Sequence, residues 1–371
     1  MTTRPTHDAT DFEVTARTAV ASEAELRAVF AGLRDDDPPI RIAGHATQQD
    51  AVAAPDTPVH VVSLAPMRRI LRLEPDDLTC SVEAGLPRAD LDAALRERGL
   101  WLPCDGDGEA GSLGAQFAIG RIAPEAPGPL ASIGARAVLL GMRAMLAEGK
   151  AFASGARVVK NVAGFDVHRL LAGSRGRLFA ALELHLKLRT LPRATASFAT
   201  DELEFAAALR RFDDLRLDSA PPARLWLARS RDASGFVVRG RYDGAARVVA
   251  DRVRRHQLEE RTWRHDDRDD RDDSAAVERV GGAVPPSRIA KLVAALPSSA
   301  PVRVSGSGSF VTRLGRDASD ALLLALPALD GHAEIERGAR ARRGRGTPLD
   351  PGAVRVHERV RDALDPRRRL R

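Results

Sequence analysis

The stretch from Gly155 to Leu188, GARVVKNVAGFDVHRLLAGSRGRLFAALELHLKL, constrains this chain more than any other. Two valines run into the polar pair Lys160–Asn161, Gly164 follows, and then Phe165–Asp166. A short apolar helix is expected over VHRLLAG, with the Asp166 carboxylate as its N-terminal cap. Gly173, Ser174 and Gly176 then space a tight turn, since glycine supplies backbone conformations that other residues resist. From Leu178 to Leu188 the pattern alternates strictly. Leu182, Leu184, Leu186 and Leu188 share one face of a strand, and Glu183, His185, Lys187 and Arg189 share the other. The first face belongs to a core, the second to solvent or a partner. This order reads as backbone folded around a large, flat, phosphorylated ligand.

A chain of 371 residues is long enough for more than one core, and 44% hydrophobic residues is ordinary for a globular protein. No apolar run approaches the length of a membrane span. The start, MTTRPTHDATDFEV, has neither the apolar run nor the cleavage site of a secretory signal. Two cysteines, Cys80 and Cys104, are too few for a disulfide framework, an iron–sulfur cluster or a structural zinc site. A cytoplasmic location is the resulting expectation. The net charge of +6 raises nucleic acid as a rival partner. Against it, the charges are mixed in sign, as in RHQLEERTWRHDDRDDRDD, and aromatics are only 4% of the chain, a poor supply of stacking platforms.

Along the chain, Ser22 with Glu25 predicts a capping box at the start of a short helix. IRIAG and VHVVSL read as buried strands, with the loop after Gly44 between them. Arg69–Leu73 and Leu78–Ala84 read as strands joined by the turn Glu74–Asp77. GLPRADLDAALRERG is a helix that Gly99 stops. The next loop carries Gly106, Gly108, Gly111, Gly114 and Gly120. Such spacing suits a backbone nest around an anion, with a plain surface loop as the competing reading. Arg136–Ala144 and Ala151–Ala153 read as paired strands. Leu191–Pro192 ends a first domain. Beyond it come a hairpin over LARSRDASGFVVRGRY, a helix near 243–256, a solvated, disordered charged loop near 261–273, helical pieces near 286–296 and the strand PVRVSGSG. A final helix is stopped by Asp365–Pro366.

VVKNVAGFDVHRL, GSRGRLF at 173–179, Ser112-Leu113-Gly114-Ala115 and the terminal ALDPRRRLR occur in an order that resembles one family. It is the flavin-binding subunit of the bacterial glycolate oxidase complex, of the vanillyl-alcohol-oxidase-type (PCMH-type) FAD-binding superfamily. The likeness is good over about 12–193 and loose over 195–371. It implies an α+β fold: a PCMH-type FAD-binding domain over 1–193, in two α+β subdomains of about 1–66 and 67–193, then a smaller α+β C-terminal cap domain over 194–371.

The resemblance also implies non-covalent FAD. Its contacts would be Arg41, Gly44 and His45 in the first loop, and Gly111, Ser112, Leu113 and Gly114, whose amides and hydroxyl would face the pyrophosphate. Lys160, Asn161, Gly164 and Asp166 would lie on the cofactor-proximal turn, and Gly173, Ser174 and Gly176 at the ribityl or ring edge. The competing readings are a tight turn fixed by Asn161 and Asp166, and an ordinary loop at 173–176.

The chain departs from the family pattern at Phe165 in place of tyrosine, at a first loop (Arg41–Thr47) with a single glycine, and at Ala115 in place of a second glycine. Gly44–His45 superficially matches the element through which relatives bind flavin covalently. A hydrogen-bonding or surface histidine is the expectation here. No metal motif, hydrolase elbow or dinucleotide GxGxxG is present. The implied role is an accessory flavin subunit beside a catalytic flavoprotein subunit and an iron–sulfur subunit, acting on a small 2-hydroxy acid. Through these partners the chain would lie peripheral to the inner membrane. The alternatives are a free-standing FAD-dependent oxidoreductase of unknown substrate and a flavin-free structural protein on the same fold.

Overall fold

Residues 12–47, 55–104, 111–120, 134–158, 164–229, 235–261, 276–339 and 342–371 are described by the structure, a computed structural model. Lys160 and Asn161 lie outside these residues, as does all of the charged stretch 261–273 except Arg261.

The chain opens with β1 (Val14–Ala19), α1 (Glu23–Ala31), β2 (Ile40–Ala43) and β3 (Val59–Ser63). The strands form a parallel sheet in the order β1-β3-β2. Helix α1 starts at the predicted capping box: Ser22 Oγ accepts the Glu25 N–H at 3.2 Å, and Glu25 Oε2 accepts the Ala21 N–H at 2.9 Å. The strand β1 was not anticipated. Its apolar side chains do not alternate, and it pairs along one edge only, with β3.

A second sheet follows, built from β4 (Ile70–Glu74), β5 (Thr79–Glu83), β7 (Leu139–Met145), β8 (Ala151–Gly155) and β9 (Ala180–Lys187). Its order is β4-β5-β9-β7-β8, all antiparallel. Helix α2 (Arg88–Arg96), the short strand β6 (Leu100–Trp101) with its partner β10 (Arg189–Thr190), and helices α3 (Leu113–Ile119), α4 (Ala135–Val138) and α5 (Val167–Leu171) complete this part. The leucine face of β9 serves two cores. Ala180 and Leu182 pack with Leu26, Phe30, Ile40 and Val62 of the parallel layer, whereas Leu184, Leu186 and Leu188 pack with Leu91, Leu95, Leu113 and Phe117 of the helices. One strand thus couples both layers.

The cap expected of Asp166 differs. Asp166 sits at the N-cap of α5 but its carboxylate makes no capping hydrogen bond. The His168 N–H donates instead to Ser154 Oγ at 3.1 Å, and Asp166 meets Arg169 at 3.4 Å. A hydroxyl from β8 satisfied the amide that the local pattern had assigned to the carboxylate.

On the other face of β9, His185 Nδ1 and Ser81 Oγ lie 2.9 Å apart. Burial, then the charges of Arg157 and His168, push His185 down to about 4. Burial also lowers His168, against the raising effect of Asp166. The His185 ring stays neutral in the fold down to about 4, while the unfolded chain takes up protons below about 6.5. Stability is therefore expected to fall as pH drops from about 6.5 toward about 4, the window set by His185. Chemical unfolding across that window checks this, and His185→Gln should flatten the slope. A wild-type stability that is level through the window would refute it.

The residues form two compact units. One gathers the described residues up to 120, those of 134–191 and 349–371; the other gathers those of 192–348. The second unit contains β11 (Ala194–Ala199), α6 (Phe205–Arg216), β12 (Arg224–Arg229), β13 (Val237–Gly244), α7 (Ala246–Arg255), β14 (Val277–Ala283), α8 (Ile289–Ala295), β15 (Val302–Ser305), β16 (Ser309–Gly315), α9 (Arg316–Ala325) and β17 (His332–Arg337). Its seven strands run β11-β13-β12-β15-β16-β14-β17, antiparallel throughout. The expected hairpin is the β12–β13 pair.

The last helix, α10 (Pro351–Leu364), belongs with the first unit, because the residues after it return to β2. Leu370, fully buried, joins the core of Ile40 and Val62. The architecture is α+β with several subdomains, consistent with the PCMH-type FAD-binding fold. Among the described residues, no helix is long and apolar enough to cross a membrane.

Candidate functional site

Within the first unit, three segments converge on one cavity of about 60 Å³. They are the loop after β2 (Arg41–Thr47), helix α3 with its cap (Ser112, Gly114, Ala115, Ala118, Ile119), and the turn at Arg175–Gly176. Leu64, Ala84, Phe179 and Ala181 form an apolar floor. Of the anticipated contacts, Arg41, Gly44, His45, Ser112, Gly114 and Gly176 line the cavity. Gly111, Leu113, Gly164, Asp166, Gly173 and Ser174 do not. Gly164 and Asp166 are exposed, and Leu113 is fully buried in the core beneath α3. Arg175 lines the site unanticipated: the glycines on either side drew attention to the backbone of this turn rather than to the side chain between them.

The polar loop is closely fixed. Ser63 Oγ donates to the Gly44 carbonyl at 2.9 Å, and the Leu64 N–H donates to the Ala43 carbonyl at 2.8 Å. His45 Nε2 donates to the Gly85 carbonyl at 2.9 Å. A carbonyl only accepts, so Nε2 carries the proton and the ring is hydrogen-bonded to a neighbouring loop. Ala46 adopts φ 57°, the left-handed region that a glycine would occupy at lower cost. Arg41 is 2% exposed, with its guanidinium 5.4 Å from the Phe12 ring centroid. Burial, and then the like charge of Arg177, push it down to about 10.

The glycines have reasons that sequence reading misassigned. The Gly114 N–H donates to the Ala84 carbonyl at 2.7 Å, and the Leu113 N–H donates to the Leu86 carbonyl at 2.9 Å. The Ala115 N–H donates to Ser112 Oγ at 3.3 Å. The Leu113 and Gly114 amides, expected to face a phosphate, are committed within the fold, as is that of Ala115. A Cβ on Gly114 would stand 2.8 Å from the Ala84 carbonyl oxygen, so this glycine lets α3 lie against the end of β5. The turn at 173–176 caps α3: Gly173 N–H donates to Phe117 O at 3.0 Å and Arg175 N–H to Ala118 O at 2.6 Å. At Gly44, too, the space is taken from within the fold: a Cβ there would meet Ser112 Oγ at 2.0 Å, so this glycine lets the hydroxyl that caps α3 pack against the first loop.

The residues fit a phosphorylated aromatic ligand in their chemistry: a buried guanidinium, a second arginine, a hydroxyl and a glycine wall on one side, and an apolar floor on the other. The volume of about 60 Å³ is on the scale of a small anionic group rather than of a whole dinucleotide. Residues 48–54, 105–110 and 121–133, which continue the lining segments in sequence, lie outside the described residues.

Comparison with known proteins agrees with this geometry. Residues 15–155 match the FAD binding domain family. The chain is 33% identical over 156 residues to glycolate oxidase subunit GlcE of Escherichia coli (strain K12), covering 42% of this chain and 43% of that protein. It is 30% identical over 175 residues to the mitochondrial D-lactate dehydrogenase [cytochrome] of Arabidopsis thaliana, covering 46% and 30%. It is 28% identical over 162 residues to glycolate oxidase subunit GlcD of Bacillus subtilis (strain 168), covering 43% and 33%. These matches span less than half the length of each relative. Two solved structures of alkyldihydroxyacetonephosphate synthase share the fold, with TM-scores of 0.64 and 0.70 at 14% identity; they cover 96% and 95% of this chain and 76% and 75% of theirs. Residues 15–155 are thus similar to an FAD binding domain, and the fold is shared with the alkyldihydroxyacetonephosphate synthase structures.

Proposed function

We propose that this chain binds FAD non-covalently at the cleft of Arg41, Gly44 and Ser112, and acts as an accessory flavin subunit of a glycolate-oxidase-like 2-hydroxy-acid dehydrogenase complex. The observation that carries the reading is the convergence of three separate segments on one cleft, two of which, Arg41–Thr47 and Ser112–Ile119, lie within the residues 15–155 that match the FAD binding domain family. The similarity to GlcE supports the choice of complex. FAD, when bound, supplies the hydride and electron chemistry for oxidising a 2-hydroxy acid. The chain's own part is to hold it: Arg41 and Arg175 present positive charge, Gly44 lets the Ser112 hydroxyl pack against the first loop, and the apolar floor excludes water. The catalytic flavoprotein subunit would carry the base and carboxylate clamp, and an iron–sulfur subunit would take the electrons. The chain would be cytoplasmic, held at the inner membrane only through those partners.

The absorption spectrum of the purified chain, with and without added FAD, is the direct test. Visible flavin bands that persist through gel filtration are expected. Their absence even with excess FAD would leave the flavin-free structural protein, a reading favoured by the small cavity volume. The isolated chain is expected to turn over neither glycolate nor lactate with an artificial acceptor, and to gain activity on co-expression with partner subunits. Robust turnover alone would instead identify a free-standing oxidoreductase.

Ala115 lines the cleft where the resembled family has glycine. Ala115→Gly should tighten FAD binding by about 1 kcal/mol, or about fivefold in Kd, by removing a methyl group from the ligand path. Helix stability should fall by roughly 0.5–1 kcal/mol at the same time. Flavin fluorescence titration and a thermal melt separate the two effects. Unchanged or weaker affinity would count against this placement of the ligand.

A further inference from the structure

More positive charge surrounds the Arg41 side of the cleft than its lining alone supplies. The backbone of the C-terminal segment runs beside β2. Ile40 N–H donates to the Arg369 carbonyl at 2.7 Å, Arg371 N–H donates to the Ile40 carbonyl at 2.9 Å, and Ile40 pairs with Leu370 in a parallel bridge. This register carries Arg371 alongside Arg41. Helix α10 adds Arg361, whose carbonyl accepts the Asp365 N–H at 2.7 Å. From the opposite side, the turn that caps α3 leads directly into Arg177.

The outer arginines of this tail have acidic partners. Arg367 and Arg369 lie 3.4 and 3.1 Å from Asp35, and Arg368 lies 2.7 Å from Glu358. The inner ones do not: among the described residues, no carboxylate forms an ion pair with Arg177, Arg361 or Arg371. The Nε atoms of Arg177 and Arg361, and Ser174 Oγ, are buried without a hydrogen-bond partner among those residues. Burial, then the charges of Arg175, Arg361 and Arg371, hold Arg177 below its ordinary value, against Asp56 alone. Arg361 is lowered by burial and by Arg371 and Arg368, against Asp365 and Glu358. Crowded guanidiniums with unsatisfied buried donors are costly by themselves, and a multivalent anion removes both costs at once. The committed amides of Leu113, Gly114 and Ala115 leave that charge to be met by side chains.

We infer that Arg177, Arg361 and Arg371 form an anion receptor at the Arg41 side of the cleft, and that it takes the pyrophosphate of the dinucleotide. The identity of this anion rests on the flavin reading above; the receptor itself does not. In this arrangement guanidiniums from the turn and the C-terminal segment do the work expected of a glycine-rich loop, which here has a single glycine.

The test uses the full chain, Arg177→Gln, Arg361→Gln and the charge-preserving Arg177→Lys. The probes are inorganic pyrophosphate (thermal shift), and FAD and riboflavin (fluorescence titration). Arg177→Gln should melt higher than wild type in the absence of anion, because like-charge crowding is relieved. It should also bind pyrophosphate and FAD about tenfold more weakly, the loss of one charge-assisted hydrogen bond. Riboflavin, which lacks phosphate, should bind unchanged, and Arg177→Lys should recover part of the loss. Wild-type FAD and pyrophosphate affinities in both glutamine variants would overturn the receptor while leaving the flavin reading intact. Pyrophosphate binding that the variants lose, in a chain that takes no FAD, would sustain the receptor and overturn the flavin reading. A chain that binds neither would overturn both. If a glutamine variant does not fold, Arg177→Lys carries the comparison, since its affinity for FAD should fall while riboflavin binding stays constant.

Discussion

Gly44→Ala is expected to abolish FAD binding and to destabilise the chain by about 1–3 kcal/mol, the usual cost of overpacking. The added methyl carbon would stand 2.0 Å from Ser112 Oγ and 2.7 Å from Ser112 Cβ, so rotating the hydroxyl away does not relieve the clash. Ser112 is 1% exposed and has nowhere to retreat. Displacing it would also cost α3 its N-cap, about 1 kcal/mol more. Ser112→Gly in the same chain should restore part of the binding by vacating the contested space. Thermal melts and flavin titration of the single and double variants check this. A Gly44→Ala protein that binds FAD like wild type would remove the cleft from consideration as the flavin site.

Arg342→Met should destabilise the second unit by about 3–5 kcal/mol, the cost of stripping the cation from a buried network. Arg342 Nε donates to Glu278 Oε1 at 2.5 Å, and its terminal nitrogens reach Glu278 Oε2 at 3.0 Å and Asp320 at 2.9 Å. The Arg342 and Glu278 side chains are 6% and 3% exposed, so the Glu278 carboxylate would remain without its counter-charge and out of reach of water. Adding Glu278→Leu should recover most of the loss, because replacing both partners with apolar groups leaves no stranded charge. Denaturant unfolding of the single and double variants is the measurement. Equal stability of wild type and Arg342→Met would show that this network carries no weight.

Elements governed by local chemistry were legible in the chain itself. Ser22 and Glu25 form their capping box, Asp365 stops the last helix, and the leucines of β9 face the core as their spacing requires. Elements set by distant partners were not. The strand β1 has no apolar alternation and exists because β3 offers it a parallel edge. Asp166 stands where a cap belongs, yet Ser154, twelve positions earlier, satisfies the amide. Gly114 and Gly173 were read as openings for a ligand, whereas one admits the Ala84 carbonyl and the other caps the carbonyl of Phe117.

By itself the sequence determined where the turns, caps and alternating strands lie, and that Arg41–Thr47, Gly111–Gly114 and Gly173–Gly176 are places of close approach. Those properties follow from dihedral freedom and from side-chain periods of a few residues, which a linear reading samples directly. Only the tertiary structure decided what approaches each glycine, which amides remain to receive a ligand, and that Arg361 and Arg371 return to lie beside Arg41 and Arg177. Contacts of that kind join residues from tens to hundreds of positions apart, and their partners are chosen by packing rather than by neighbours in the chain.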